Sequence, residues 1–144
     1  MLDIKIICSG TIKEQYLRDA IKEYDKRLSA FCKLTVQEIK EDSPNALYPA
    51  VSTFKGYKIA LCIEGKMLSS EELAQKIESL AVSGTHDIAL VIGGSDGLSE
   101  DVKACCDLRL SFSKMTFPHQ LMRVILLEQI YRAFTIINHK QYHK

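Results

Sequence analysis

The stretch DIALVIGGSDG, residues 87–97, decides how this chain folds. Five apolar residues follow Asp87 without interruption, and the run ends on paired glycines. An unbroken apolar run of strand length fits a strand covered on both faces. A sheet covered on both faces needs helices on each side, and the crossovers that supply them make neighbouring strands parallel. The glycines then mark a loop with little room for side chains, with Gly93, Gly94 and Gly97 flanking Ser95 and Asp96. Its spacing is neither G-x-G-x-x-G nor a P-loop closed by Gly-Lys-Ser/Thr. Taken alone, the loop is either a tight turn needing positive φ or a place where backbone approaches a ligand.

The flanking sequence alternates in the same sense. Residues 2–8 read as a strand ending at Ser9-Gly10. Over residues 13–30, Leu17, Ala20, Ile21, Tyr24 and Leu28 recur at helical spacing. The opposite face carries Lys13, Arg18, Lys22, Lys26 and Arg27 among acids, and reads as solvated. Residues 33–40 form a second strand. Residues 41–55, with Pro44, Asn45 and Pro49, form a loop holding one helical turn around residues 46–54. Residues 57–63 are a third strand, broken by Gly65. Ser69 and Glu72 have capping-box spacing ahead of a helix that buries Leu73, Ile77, Leu80 and Ala81 and stops at Gly84. Ser99 caps a short helix over residues 100–107, residues 108–112 are a fifth strand, and Pro118 opens a long helix reaching residue 137. The pattern predicts an α/β domain spanning residues 1–144, with a mainly parallel sheet and helices on both faces.

Composition narrows the class. Hydrophobic residues are 47% and charged residues 26%, ordinary for a globular protein. No apolar run reaches the ~20 residues of a membrane span, and the first ten residues lack the basic n-region of a secretory signal. The expectation is a cytoplasmic protein with no membrane partner. A net charge of +1 argues neither for nor against nucleic acid. The five cysteines, Cys8, Cys32, Cys62, Cys105 and Cys106, contain no C-x-x-C, so neither a disulfide framework nor a zinc site is expected, and no metal. Cys8 and Cys62 fall in apolar strands and read as core residues.

Ligands of such sheets bind beyond the carboxyl ends of the strands. Three segments fall there: residues 63–66, 93–97 and 113–119. The last helix is apolar nearly all round, from Leu121 and Met122 to Tyr131 and Phe134. Either the helix is unusually central within a monomer, or one face meets the sheet and the other a partner chain; the second reading is preferred and predicts a homodimer. His119 and Arg123, four apart at its start, share a face suited to an anion or a base edge. Glu128 and Arg132 form an i,i+4 pair of structural character. In the tail, Tyr142 stands among His139, Lys140, His143 and Lys144. It is either a frayed end or an aromatic that stacks a base beside cations holding its phosphate.

Three stretches together carry a resemblance: LVIGGSDGLS (residues 90–99), LSFSKMTFPHQLMRVILLEQIYRAF (residues 110–134) and the terminal YHK. They resemble the ribosomal RNA large-subunit methyltransferase H family, a small branch of the knotted SPOUT methyltransferases. The resemblance extends from the first strand through IEGKMLSSEELA to the tail. It implies an α/β fold with a C-terminal trefoil knot, and a homodimer with the knot at its interface. It implies S-adenosylmethionine as methyl donor, and methylation of N3 of a pseudouridine in 23S rRNA of the assembled ribosome. Carried over by position, cofactor contacts fall on Leu61, Gly93, Phe112, Ser113, Lys114, Met115, Thr116 and Phe117. Catalytic candidates are His119, Arg123, Tyr142 and His143, with Lys144 adjoining. On this reading the glycines let backbone approach the cofactor. Residues 41–55 look shorter than in relatives, a departure expected to bear on rRNA contacts and to leave the cofactor loops untouched. Two other classes remain open: a cofactor-binding domain without catalysis, and a thiol-dependent redox protein.

Overall fold

Among residues 1–143, which the computed structural model describes, five strands alternate with five helices. In chain order they are β1 (Leu2–Ser9), α1 (Gln15–Leu28), β2 (Cys32–Ile39), α2 (Tyr48–Thr53), β3 (Tyr57–Met67), α3 (Ser70–Val82), β4 (Asp87–Ile92), α4 (Glu100–Ala104), β5 (Leu108–Ser111) and α5 (His119–Ile137). The strands form one sheet in the order β2-β1-β4-β3-β5, and every pairing is parallel. β4 is the middle strand, with every residue after Asp87 buried, as its unbroken apolar run demands.

Alternation along the strands divides the core in two, because successive side chains point to opposite faces. Ile88, Leu90 and Ile92 join Ile4, Ile6 and Ile59 on the face covered by α1, α3 and α5. Ala89, Val91, Ile7 and Ala60 point the other way, onto Leu47 and Val51 of the α2 region and Val102 of α4. Helices therefore cover both faces, as expected. The capping box of α3 forms as its spacing predicts: Ser69 Oγ accepts from Glu72 N at 3.0 Å, and Ser69 N donates to Glu72 Oε1 at 2.8 Å.

Gly65 does not break the third strand. β3 continues through it to Met67, and both Leu61 and Lys66 pair with Leu110 of β5, so residues 62–65 bulge outward. A Cβ on Gly65 would lie 2.7 Å from the Arg109 carbonyl carbon. The glycine thus permits close passage of two backbones rather than ending a strand. The helical turn expected in residues 41–55 is α2, with Leu47 just before it and Val51 within it both buried.

On α5, Leu126, Leu127, Ile130, Ala133 and Phe134 are buried against the sheet. Val124, Ile125, Tyr131, Ile136 and Ile137 stay half-buried, and Leu121 is exposed. A single chain covers only part of this apolar helix. Among the described residues no helix is long and apolar enough to cross a membrane.

Candidate functional site

A cavity of about 310 Å³ opens at the carboxyl ends of β3, β4 and β5. The size falls at the lower end of small-molecule sites. The three segments singled out by sequence build it. β3 supplies Leu61 and, from its bulge, Cys62 through Glu64; the end of β4 supplies Ile92, Gly93 and Gly94, and the chain after β5 supplies Phe112, Ser113, Met115, Thr116 and Phe117. Of the eight expected cofactor contacts, only Lys114 does not line it; Lys114 is exposed.

The glycine loop has an internal reason for its composition. Gly97 N donates to Gly94 O at 3.1 Å and adopts φ +75°, closing a tight turn. A Cβ on Gly93 would sit 2.5 Å from the Gly97 carbonyl carbon. A Cβ on Gly94 would sit 1.6 Å from Asp42 Oδ1. The side chains are absent because the loop folds on itself and on Asp42. Of the two alternatives the sequence left open, the tight turn is present, and the loop also faces the cavity.

Residues 42–45 reach this loop directly, contrary to the expectation that residues 41–55 leave it untouched. Asp42 accepts from Ser95 N at 3.3 Å and from Ser95 Oγ at 3.0 Å. Ser99 N donates to Pro44 O at 2.8 Å, and Ser99 Oγ donates to Asn45 Oδ1 at 2.7 Å. The third loop is held from within, because Ser113 Oγ accepts from Met115 N at 3.0 Å and Ser111 Oγ donates to Ser113 O at 3.0 Å.

The cavity wall is largely apolar, from Leu61, Ile92, Leu98, Leu110, Phe112, Phe117 and Met122. Its charged edge includes Asp96 and, on α4, Lys103, whose ammonium pairs with Glu64 on the bulge and lies 3.6 Å from Glu100. The hydrogen bond with Lys103 holds the Glu64 carboxyl below the usual carboxylate range, and the same bond raises Lys103. Both stay charged through the neutral range. Sequence reading missed Lys103: Glu64 lies 39 residues away, and no local spacing links them.

The candidate catalytic residues divide. His119 opens α5, lines the cavity and is half-buried. Arg123, one turn later, does not line the cavity. It is 2% exposed, and its guanidinium donates from Nη1 to Glu38 Oε2 at 2.6 Å and from Nη2 to Ser9 O at 3.2 Å and Gly10 O at 3.1 Å. The shared helix face of His119 and Arg123 thus spans two environments. Tyr142 and His143 fold back along α5, away from the cavity of their own chain. Tyr142 OH donates to Glu128 Oε2 at 2.6 Å, and its ring meets Tyr131 edge-on at 4.9 Å. Arg132 Nη1 lies 3.1 Å from His143 Nδ1, and His143 Nε2 pairs with Glu71. The Glu128–Arg132 pair at 2.9 Å therefore seats the tail. Lys144 lies outside the described residues.

The hydrogen bond to Glu128, then burial, pushes the Tyr142 phenol up to about 12. Because the folded value exceeds the ordinary value of ~10, this contact contributes fully below pH ~10 and is lost as pH rises through about 12. Tyr142 is a donor at neutral pH, not a phenolate base. In a 295 nm titration, the wild-type minus Tyr142→Phe difference is expected to rise near pH 12, and Glu128→Gln to return it towards 10. A difference already rising near pH ~10 in the wild type excludes the contact.

Burial pushes the Cys8 thiol to about 11, Cys32 to about 12 and Cys106 to about 11. Cys62, expected in the core, instead lines the cavity half-buried, and burial raises it too. These thiols are protonated at neutral pH, the reverse of what an attacking cysteine needs.

Residues 2–143 match the family model described as "Predicted SPOUT methyltransferase". The chain is 50% identical to the ribosomal RNA large subunit methyltransferase H of Clostridium novyi over 159 residues, covering 99% of this chain and 100% of that one. It is 48% identical to the protein of the same name from Bifidobacterium adolescentis, with the same coverage. The aligned length exceeds the 144 residues here, so this chain is the shorter partner. Among solved structures, the tRNA (m1G37) methyltransferase of Aquifex aeolicus superposes with a TM-score of 0.57 at 16% identity, over 91% of this chain and 69% of that one. That likeness establishes the shared fold.

Proposed function

The chain belongs to the SPOUT methyltransferase family, and from that premise we propose that it methylates N3 of a pseudouridine in the 23S rRNA of the assembled ribosome. The proposal includes a homodimer, a single domain spanning the chain with a C-terminal trefoil knot, and action in the cytoplasm. The observation that carries it is the cavity at the ends of β3, β4 and β5, built by the segments that match the family motif.

The cavity suits S-adenosylmethionine chemically. Apolar walls from Leu61, Leu110 and Phe112 accept an adenine, and backbone groups of Gly93 and residues 113–117 are available to its polar edge. Lys103 and Glu64 supply charges for a ligand end that carries both signs. When bound, this cofactor supplies an activated methyl on a sulfonium. The chain's own work is alignment. Helix α5 and the loop before it fix one wall, so the attacking nitrogen is presented in one orientation, which is catalysis by proximity. N3–H loses its proton to solvent water around transfer, and a cation or donor beside the base stabilises the charge that develops. That His119 lines the cavity within one chain supports it in that role. Tyr142 and His143, seated on α5 away from this cavity, are candidates for the partner's cavity in the proposed homodimer, where the Tyr142 ring is available to stack a base while its hydroxyl stays on Glu128. Arg123 serves by fixing the start of α5.

The test is methyl transfer from labelled S-adenosylmethionine to ribosomes from cells lacking the endogenous activity, with separated subunits and free 23S rRNA in parallel. The expected result is label in the 23S rRNA of whole ribosomes, mapping to a pseudouridine. Cofactor binding with no label in any RNA favours the binding-domain reading instead.

A further inference from the structure

We propose that Asp42 is a positioning residue for cofactor binding, holding the glycine loop in its binding conformation from outside the cavity. The inference rests on the methyltransferase reading and deepens it. Asp42 comes from the segment between β2 and α2, and it does not line the cavity.

Three observations converge on it. First, its carboxylate takes both donors of Ser95, the residue at the centre of the loop, through Ser95 N at 3.3 Å and Ser95 Oγ at 3.0 Å. Ser95 itself does not line the cavity, whereas Gly93, Gly94, Asp96 and Gly97 do. The loop is therefore gripped on its outer side and presents its inner side to the ligand. Second, Asp42 Oδ1 occupies the place of a Gly94 side chain, 1.6 Å from where its Cβ would be. The carboxylate and the glycine are thus a matched pair: either alone loses its reason. Third, the residues that follow Asp42 fix the far end of the loop, where Ser99 donates to Pro44 O at 2.8 Å and to Asn45 Oδ1 at 2.7 Å. Ser99 Oγ also caps α4, accepting from Val102 N at 3.1 Å, and α4 carries Lys103 to the cavity edge.

A loop held in its bound shape does not lose conformational freedom when the ligand arrives, so its tether contributes to affinity without touching the ligand. Releasing Ser95 lets residues 93–97 sample other shapes, and the ligand must then reorder them. The effect falls on binding rather than on transfer, because Asp42 reaches no reacting atom.

The test measures S-adenosylhomocysteine affinity by calorimetry and steady-state methylation of ribosomes, in the full chain. Asp42→Ala is expected to raise the dissociation constant and the cofactor KM by roughly tenfold, with kcat at saturating cofactor within about twofold of wild type. Asp42→Asn is expected to recover most of the affinity, since its amide oxygen accepts from Ser95 N and its NH2 donates to Ser95 Oγ. Gly94→Ala is expected to weaken binding in the wild-type background and to add little in Asp42→Ala, where the clash is gone. Wild-type affinity in Asp42→Ala overturns the inference, as does a fall in kcat with cofactor KM unchanged. Additive losses in the Asp42→Ala, Gly94→Ala double variant also overturn it. A wild-type protein that binds neither S-adenosylmethionine nor S-adenosylhomocysteine overturns the functional reading, and this inference with it.

Discussion

Replacing Gly93 by alanine is expected to weaken S-adenosylmethionine binding by about 30- to 100-fold. The added Cβ would lie 2.5 Å from the Gly97 carbonyl carbon and 2.6 Å from its oxygen, both backbone atoms. Backbone cannot swing aside as a flexible side chain can, so the turn joining Gly94 to Gly97 must open. Overpacking costs about 1–3 kcal/mol; with backbone atoms on the far side the upper part, about 2.1–2.8 kcal/mol, applies, and at 1.4 kcal/mol per tenfold this gives the stated loss. The cost falls on a cavity wall, so cofactor affinity reads it directly. Titration calorimetry checks it, with circular dichroism to verify that the rest of the sheet is intact. An unchanged dissociation constant would mean that the ligand does not depend on this turn.

The second large effect is on stability. Arg123→Met is expected to cost about 3 kcal/mol, the lower end for removing one partner of a buried ion pair. The lower end applies because the Glu38 side chain is 36% exposed and recovers water. The carbonyls of Ser9 and Gly10 lose their donor at the same time. At roughly 3 °C per kcal/mol for a domain near this size, the melting temperature should fall by about 10 °C. Calorimetric melting measures that shift. Transfer activity below the transition, expressed per folded molecule, separates the two roles of Arg123. Activity within a few-fold of wild type fits a clamp that joins α5 to the ends of β1 and β2. A hundredfold loss of kcat with an unchanged melting temperature would instead make Arg123 a catalytic residue.

These two residues show how unevenly the site was legible. Gly93 is visible in the sequence because an apolar run ending in glycines can be read locally. Its partner in the loop, Gly97, is four residues away. Arg123 is equally visible as a charge on an apolar helix, but its destination is not. Helical spacing places it with His119, and only packing reveals that the guanidinium turns towards Glu38, 85 residues earlier. The tail divides in the same way. An aromatic among basic groups is evident from Tyr142 and its neighbours, whereas its seat on Glu128, Arg132 and Glu71 depends on how α5 lies against α3.

The sequence by itself determined the alternation of strands and helices, the burial of β4 on both faces, the capping box of α3 and the three segments that meet at one end of the sheet. Each follows from short-range periodicity or from the conformational limits of glycine, proline and capping residues, which act over a few residues. Only the tertiary structure decided the strand order, the bulge that carries Glu64 to Lys103, the burial of Arg123 and the grip of Asp42 on a loop 53 residues away. Those contacts depend on which strands become neighbours. Neighbour choice is set by the mutual fit of whole apolar faces, and no local spacing encodes it.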